Sequence, residues 1–260
     1  IPDNAKENPK DFYCYVNERR IARDSVGPPL DDGGVLRASP EDMASVLNNF
    51  FCSVFTVEGP GYERDTVYAG EVTLNNIVFT REEVVEQLEG LNIYKSIGPD
   101  GHHPRVLKET REQLADSLAH IFNLSMTSGE VPEDWRVANV TAIFKKGDRQ
   151  SPSNYRPISL TSVVCKTIER LIRDHLVNHL EDNSLIHDTQ HGFRRKRSCL
   201  KNLLNFFNKG RNVYDHHMIA DVIYLDLDNA FDKRPHLELL HKVSELGIVG
   251  NVLRWLRVWL

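Results

Sequence analysis

Apolar residues recur at helical spacing over most of this chain, and in strand fashion over two short runs. KDFYCYVNERRIA (10–22) reads as a short amphipathic helix. Ser39-Pro40-Glu41-Asp42 is a helix start, with a capping hydroxyl, Pro in the first turn and acids at the positive dipole end, followed by the apolar-periodic MASVLNNFFCSVF. Thr80-Arg81-Glu82-Glu83 is a capping box opening a helix through Leu91. Residues 104–128 read as one or two helices stopped by Gly129, residues 161–181 as a long amphipathic helix, and Ser198 as the cap of a helix through Phe207. Two further helices are predicted at 236–246, with Gly247 as stop, and at 250–260. VANVTAIFK (137–145) alternates as a strand, and MIADVIYLD (218–226) is a nearly continuous apolar run, predicted to be a strand buried on both faces. Residues 25–34, 57–70, 95–104 and 145–154 are turn-rich loops.

The closing residues, LRWLRVWL, form an apolar stripe without a polar tail. A helix exposing Trp255, Leu256, Trp259 and Leu260 needs a surface to cover it, so the sequence is expected to stop inside a larger domain. The first residue is Ile1 rather than Met, which points away from a natural translation start. No apolar run approaches the roughly 18 residues of a membrane span, and no signal peptide is visible at the start. A soft boundary falls near residue 70, and there are no internal repeats.

Charge changes the picture more than composition does. The chain of 260 residues carries a net −5, but residues 136–211 hold 15 basic and 6 acidic side chains. The 135 residues before them hold 12 basic and 24 acidic ones. A basic block inside an acidic chain is either a phosphate-binding surface or a face paired with the acidic N-terminal half. The four cysteines, Cys14, Cys52, Cys165 and Cys199, form no CxxC pair and are expected as free thiols in a reducing compartment. His102-His103 and His216-His217 are adjacent in sequence, point to different sides of the chain and are expected as loop residues rather than metal ligands.

Three clusters could carry chemistry. Asp226 follows the predicted buried strand, where a carboxylate suits a hard cation such as Mg²⁺; the competing reading is that Asp226, Asp228 and Asp232 cap the following turn. Lys145, Lys146 and Arg149, with Arg156 across a turn, could clamp a polyphosphate or could decorate a solvated hairpin. No GxxxxGK[ST] pattern occurs, which disfavours a P-loop ATPase. In His191-Gly192-Phe193-Arg194-Arg195-Lys196-Arg197-Ser198, four consecutive cations precede a helix N-terminus. That arrangement is unfavourable unless an anion, such as a nucleic-acid backbone, lies between; the rivals are a localisation-type basic patch or plain solvated surface.

In order, SIGPDGHHPRVLKE (96–109), TAIFKKGDRQSPSNYRPISL (141–160), DTQHGFRRKRSCLKNLL (188–204) and DVIYLDLDNAFDKRPH (221–236) resemble the reverse transcriptase of non-LTR retrotransposons, of the LINE jockey and CR1 type. EDMASVLNNFFCSVFT (41–56) resembles the linker before that domain. The resemblance implies an α+β, helix-rich right-hand polymerase: an extension over 1–70, fingers over 71–217 and a partial palm over 218–260. It implies truncation before the thumb and before the palm hairpin that carries an aspartate pair. It implies RNA-directed DNA polymerase chemistry, a nucleotidyl transfer using Mg²⁺ in the complete domain, with an RNA template, a DNA primer and deoxynucleoside triphosphates as partners and no membrane.

Residue by residue, Asp226 resembles the first palm aspartate, a metal ligand, with the Leu227 carbonyl beside it. Phe231 falls at the gate against the sugar 2′ position. Lys145, Lys146 and Arg156 resemble finger residues on the triphosphate, and Gly192, Phe193, Arg194, Arg195, Lys196 and Arg197 lie in the block that tracks the template. An intracellular location, nuclear or cytoplasmic, is implied, and oligomeric state is left open. There are departures: no Asp-Asp dipeptide follows Asp226, Asp228-Asn229 and Arg234 are unusual, and Lys196 stands where Gly is common. The expected activity of the chain alone is therefore nil. The alternatives are a non-catalytic RNA-binding module and a degraded relic of such an element.

Overall fold

The computed structural model describes residues 26–56, 72–226 and 232–260. The chain divides into two compact units, one of Ile1–Val54 with Val140–Ser159 and one of Phe55–Asn139 with Leu160–Leu260. The predicted helix at 10–22 lies outside the described residues.

In the first unit, α1 (Pro40–Ser53) starts where the Ser39 hydroxyl accepts from the Asp42 amide at 3.1 Å. Before it, Asp31 organises a tight loop: its carboxylate accepts from the Gly33 and Val35 amides at 3.0 and 2.9 Å and pairs with Arg37 at 2.7 Å. The Val35 amide first, and then Arg37, hold this carboxyl below the usual range. A two-stranded sheet pairs β1 (Asn139–Phe144) with β2 (Tyr155–Leu160), a short 3₁₀ turn at Pro152–Asn154 leading into the second strand.

The second unit is helical. It contains α2 (Arg81–Glu89), α3 (Pro104–Glu109), α4 (Arg111–Ser128), α5 (Glu133–Arg136), α6 (Val163–Asp182), α7 (Cys199–Asp215), α8 (His236–Glu245) and α9 (Gly250–Trp259). The capping box at Thr80 is complete, with Thr80 and Glu83 bonding each other's backbone amides. Gly129 ends α4 in the left-handed region, at φ 74°. The core joins Val84 and Leu88 of α2, Phe122 and Met126 of α4, Ile168 and Leu171 of α6, and Val252 and Trp255 of α9. Phe122 meets Phe79 and Trp135 edge-to-face at 6.1 and 5.7 Å. The Asn123 side chain closes both hydrogen bonds of the extended Phe79, at 2.8 Å each, in place of a neighbouring strand.

The start of α9 is tied to residues 74–75: Leu74 bonds Gly247 and Val249, and Asn251 donates to the Asn75 carbonyl at 2.8 Å. Gly250 sits at φ 60°, where a Cβ would lie 2.7 Å from that same carbonyl oxygen.

Two expectations are corrected here. Residues 218–226 form no strand, and Ile219, Ile223 and Leu225 are 97, 80 and 89% exposed. A strand exists only with a hydrogen-bonded neighbour, and among the described residues no strand lies beside this run. The apolar stripe of the last helix is largely covered by the chain's own core. Trp255 is buried, its indole N–H donating to the Ser125 hydroxyl at 2.9 Å, and Leu256 and Trp259 pack against the same core. Leu260 is exposed. Two elements were not anticipated, the one-turn α5 and β2; Pro157 inside β2 argues against a strand unless it lies at a sheet edge, as in this two-stranded sheet.

Candidate functional site

The first candidate group sits on the hairpin of the first unit. The loop between β1 and β2 is closed by the Lys145 amide donating to the Asn154 carbonyl at 2.7 Å. Gly147 turns at φ 91°, where the Asn154 side chain presses within 2.7 Å of the missing Cβ. Tyr155 pins the loop from inside: its hydroxyl donates to the Arg149 carbonyl at 2.8 Å and accepts from the Gly27 amide at 3.1 Å. Phe144 stacks edge-on with Tyr155 at 5.5 Å and carries the Arg149 guanidinium over its face at 4.5 Å. Lys145, Lys146 and Arg156 are exposed on this frame. The result is a stiff hairpin presenting three cations to solvent. Phe144 was not singled out in the sequence, and Tyr155 stood beside Arg156 there without a role; their aromatic character beside a cationic loop was the available signal.

The second group lies in the second unit, ahead of α7. The cations at 194–197 are held more by acids than the sequence suggests. Arg194 lies 3.8 Å from Glu181 and donates to the His187 carbonyl at 3.3 Å. Arg195 pairs with Asp174, and Arg197 with Asp188, each at 3.2 Å. Lys196 is exposed in the left-handed region at φ 59°, and its carbonyl accepts from the Lys201 ammonium at 3.0 Å. These pairs relieve the repulsion between four cations and the positive end of α7 without an external anion. Asp174, Glu181 and Asp188 are among the few acids of the basic block, so this compensation was readable only as a ratio.

Phe193 is 91% exposed at φ 59°, beside the exposed Gly192. An aromatic ring on a loop of cations is a natural stacking platform for an unpaired base. His191 anchors the loop from below. It is buried, its Nε2 lies 3.3 Å from the Asn205 amide of α7, and its Nδ1 is without a hydrogen-bond partner.

The third group centres on Asp226, which is exposed at the end of the 218–226 run. Leu227 and Phe231 lie outside the described residues. Among the described residues, no three His, Cys, Asp or Glu side chains gather to hold a metal ion. One carboxylate falls short of the octahedral oxygen set that Mg²⁺ demands, so the described residues alone do not make a metal centre. The histidine pairs behave as loop residues: His103 Nδ1 accepts from the Arg105 amide at 3.0 Å, and His216 Nδ1 lies 2.7 Å from the Asn212 carbonyl.

The hairpin cations, the basic loop and Asp226 fall within one stretch of sequence similarity. Residues 143–260 match the family described as reverse transcriptase (RNA-dependent DNA polymerase). Over these residues the chain is similar to the reverse transcriptases of non-LTR retrotransposons. The chain is 31% identical over 166 residues to a probable RNA-directed DNA polymerase from transposon BS of Drosophila melanogaster, covering 64% of this chain and 18% of that protein. It is 30% identical over 168 residues to the RNA-directed DNA polymerase from mobile element jockey of the same fly, with the same two coverages. Over 170 residues it is 30% identical to a Pol polyprotein from a type-1 retrotransposable element R2 of Popillia japonica, covering 65% of this chain and 22% of that one. The matched region thus spans about a fifth of the length of these reverse transcriptase relatives. No helix among the described residues is long and apolar enough to cross a membrane.

Proposed function

We propose that this chain is the fingers and the beginning of the palm of a LINE-type RNA-directed DNA polymerase, inactive by itself. Residues 1–70 would be the extension, 71–217 the fingers and 218–260 the partial palm of a right-hand fold. The observation that carries this reading is the run of similarity over residues 143–260, which takes in all three candidate groups.

In this reading Lys145, Lys146 and Arg156 neutralise the triphosphate of an incoming deoxynucleotide. Gly192 to Arg197 follow the backbone of the RNA template, with Phe193 against a base. Backbone contacts suit an enzyme that copies any template, because they carry no base information. Asp226, with the Leu227 carbonyl, would hold Mg²⁺ in a complete palm, and Phe231 would exclude a 2′-hydroxyl. The metal would supply charge stabilisation for phosphoryl transfer when bound. No Asp-Asp pair follows Asp226 in these 260 residues, so the chain holds one of the three carboxylates the chemistry needs. The partners are an RNA template, a DNA primer and deoxynucleoside triphosphates, and the setting is intracellular, in nucleus or cytoplasm.

The test is an RNA template annealed to a DNA primer, offered to the purified chain with Mg²⁺ and deoxynucleotides. Retention of the hybrid without extension is expected. Extension that disappears in Asp226→Asn would overturn the claim that the chain alone is inactive, and failure to retain the hybrid at low salt would overturn the template role.

A second reading, a non-catalytic RNA-binding module, is favoured by the exposure of Lys145, Lys146, Arg156, Arg195 and Lys196 together with Phe193. It requires RNA binding that depends on Arg194 to Arg197 and is indifferent to Asp226.

A further inference from the structure

Outside the three groups above, α6 and α9 of the second unit border an open cleft of about 590 Å³. That is within the roughly 300–1,000 Å³ of small-ligand sites. Its aromatic side is a pair of stacked tryptophans, Trp255 and Trp259, with ring centroids 5.4 Å apart and planes 19° from parallel. Trp255 is held by its bond to Ser125 and by the core, so Trp259, half-buried on top of it, is fixed before any ligand arrives. The α6 side contributes Lys166, Arg170 and Arg173, with Glu169 as the opposing carboxylate. Lys166 reaches back to the Thr161 carbonyl at 3.0 Å, and Arg173 is paired with Asp174 at 2.9 Å. Arg170 is the cation beside Glu169 at the half-buried edge.

A rigid aromatic wall facing arginines is the arrangement that holds unpaired nucleotides, the base on the ring and the phosphate on the guanidinium. We infer that the α6–α9 cleft is a second nucleic-acid site, taking one or two unpaired nucleotides of a single strand with a base against Trp259 and a phosphate at Arg170. The charge supports a nucleic acid over an acidic peptide only in combination with the ring pair, because either polyanion would satisfy the cations. Glu169 does not defeat it. Burial raises its carboxyl above the ordinary glutamate value, and the Cys165 thiol lies 3.7 Å away as a donor. Its oxygen can accept from an exocyclic base amine.

The experiment is a tryptophan-fluorescence titration of the whole chain with a ten-nucleotide oligoadenylate RNA, beside Arg170→Ala, Trp259→Leu and a Lys209→Ala/Arg211→Ala pair. Saturable quenching is expected, with affinity weakened at least about fivefold in Arg170→Ala, the effect of losing one backbone or stacking contact. Trp259→Leu should lose most of the quenching amplitude, and the pair at 209 and 211, exposed on α7 and outside both sites, should keep it. Arg170 lies at the cleft edge, outside the core, so that variant reports on binding even if Trp259→Leu folds poorly. Unchanged affinity in Arg170→Ala, loss of quenching in the pair at 209 and 211, or equal competition by polyglutamate would each overturn the assignment.

Discussion

Gly98 shows how much one missing methyl group can matter. It lies in the 95–104 loop, and a Cβ there would sit 2.6 Å from the Ser162 Cα and 2.7 Å from the Thr161 carbonyl oxygen. Both are backbone atoms at the entrance to α6, so neither can swing away. Gly98→Ala should therefore cost stability by about 1–3 kcal/mol, the usual cost of overpacking, read as a lower midpoint in urea. The glycine was visible in the sequence only as part of a turn-rich run; its close approach to α6 joins residues 64 positions apart, which no local pattern encodes.

Glu169 makes a second prediction at this scale. Its folded carboxyl is raised above 4.5, chiefly by burial, so the folded state holds the proton more tightly than the unfolded chain. Stability is then lost as pH rises from 4.5 toward the folded value and stays lower above it. Glu169→Gln should raise the melting temperature at pH 7 and flatten its change with pH over that window. A variant that melts lower than the parent at pH 7 would contradict this.

Among the elements, the helices were the most legible. The capping box at Thr80, the Ser39 cap and the Gly129 stop each act locally and fall where the sequence puts them. Of the strands only β1 was legible, because a strand is defined by its partner. Residues 218–226 have the stronger apolar run yet no neighbour among the described residues, whereas β2 has a proline and pairs with β1.

α7 is the extreme case among the helices. No residue in it is buried, and Leu200, Leu203, Leu204 and Phe207 are all exposed. With so little packing, its cap carries an unusual share of its stability: the Ser198 hydroxyl accepts from the Lys201 amide at 3.2 Å. Ser198→Ala should cost about 1 kcal/mol and visibly lower helicity at 222 nm, whereas Thr80→Ala ahead of α2, which buries Val84 and Leu88, should lower it less.

For the whole molecule, the uneven charge is the property on which the proposed function rests. The basic block spans the hairpin loop, α6 and the cations ahead of α7, and the reverse transcriptase similarity begins at nearly the same point. That much of the site was legible as composition and motif. The internal pairing of Arg194, Arg195 and Arg197 was not, because their acidic partners lie 9 to 21 residues away along the chain. Pairing lowers what these cations can offer to RNA, since each ion pair must loosen before a phosphate replaces the carboxylate. Lys145, Lys146, Lys196 and Arg156 have no such partner among the described residues and should carry the larger share of phosphate contacts.

The most direct measurement is the affinity of the chain for an RNA–DNA primer–template hybrid as a function of salt, for the parent and for Lys145→Ala/Lys146→Ala. Binding through phosphate contacts predicts that log affinity falls linearly with log salt, by about 0.9 for each phosphate neutralised. Removing the two lysines should make that slope shallower by about 1–2. Binding that is indifferent to salt, or a slope unchanged in the double variant, would contradict the account.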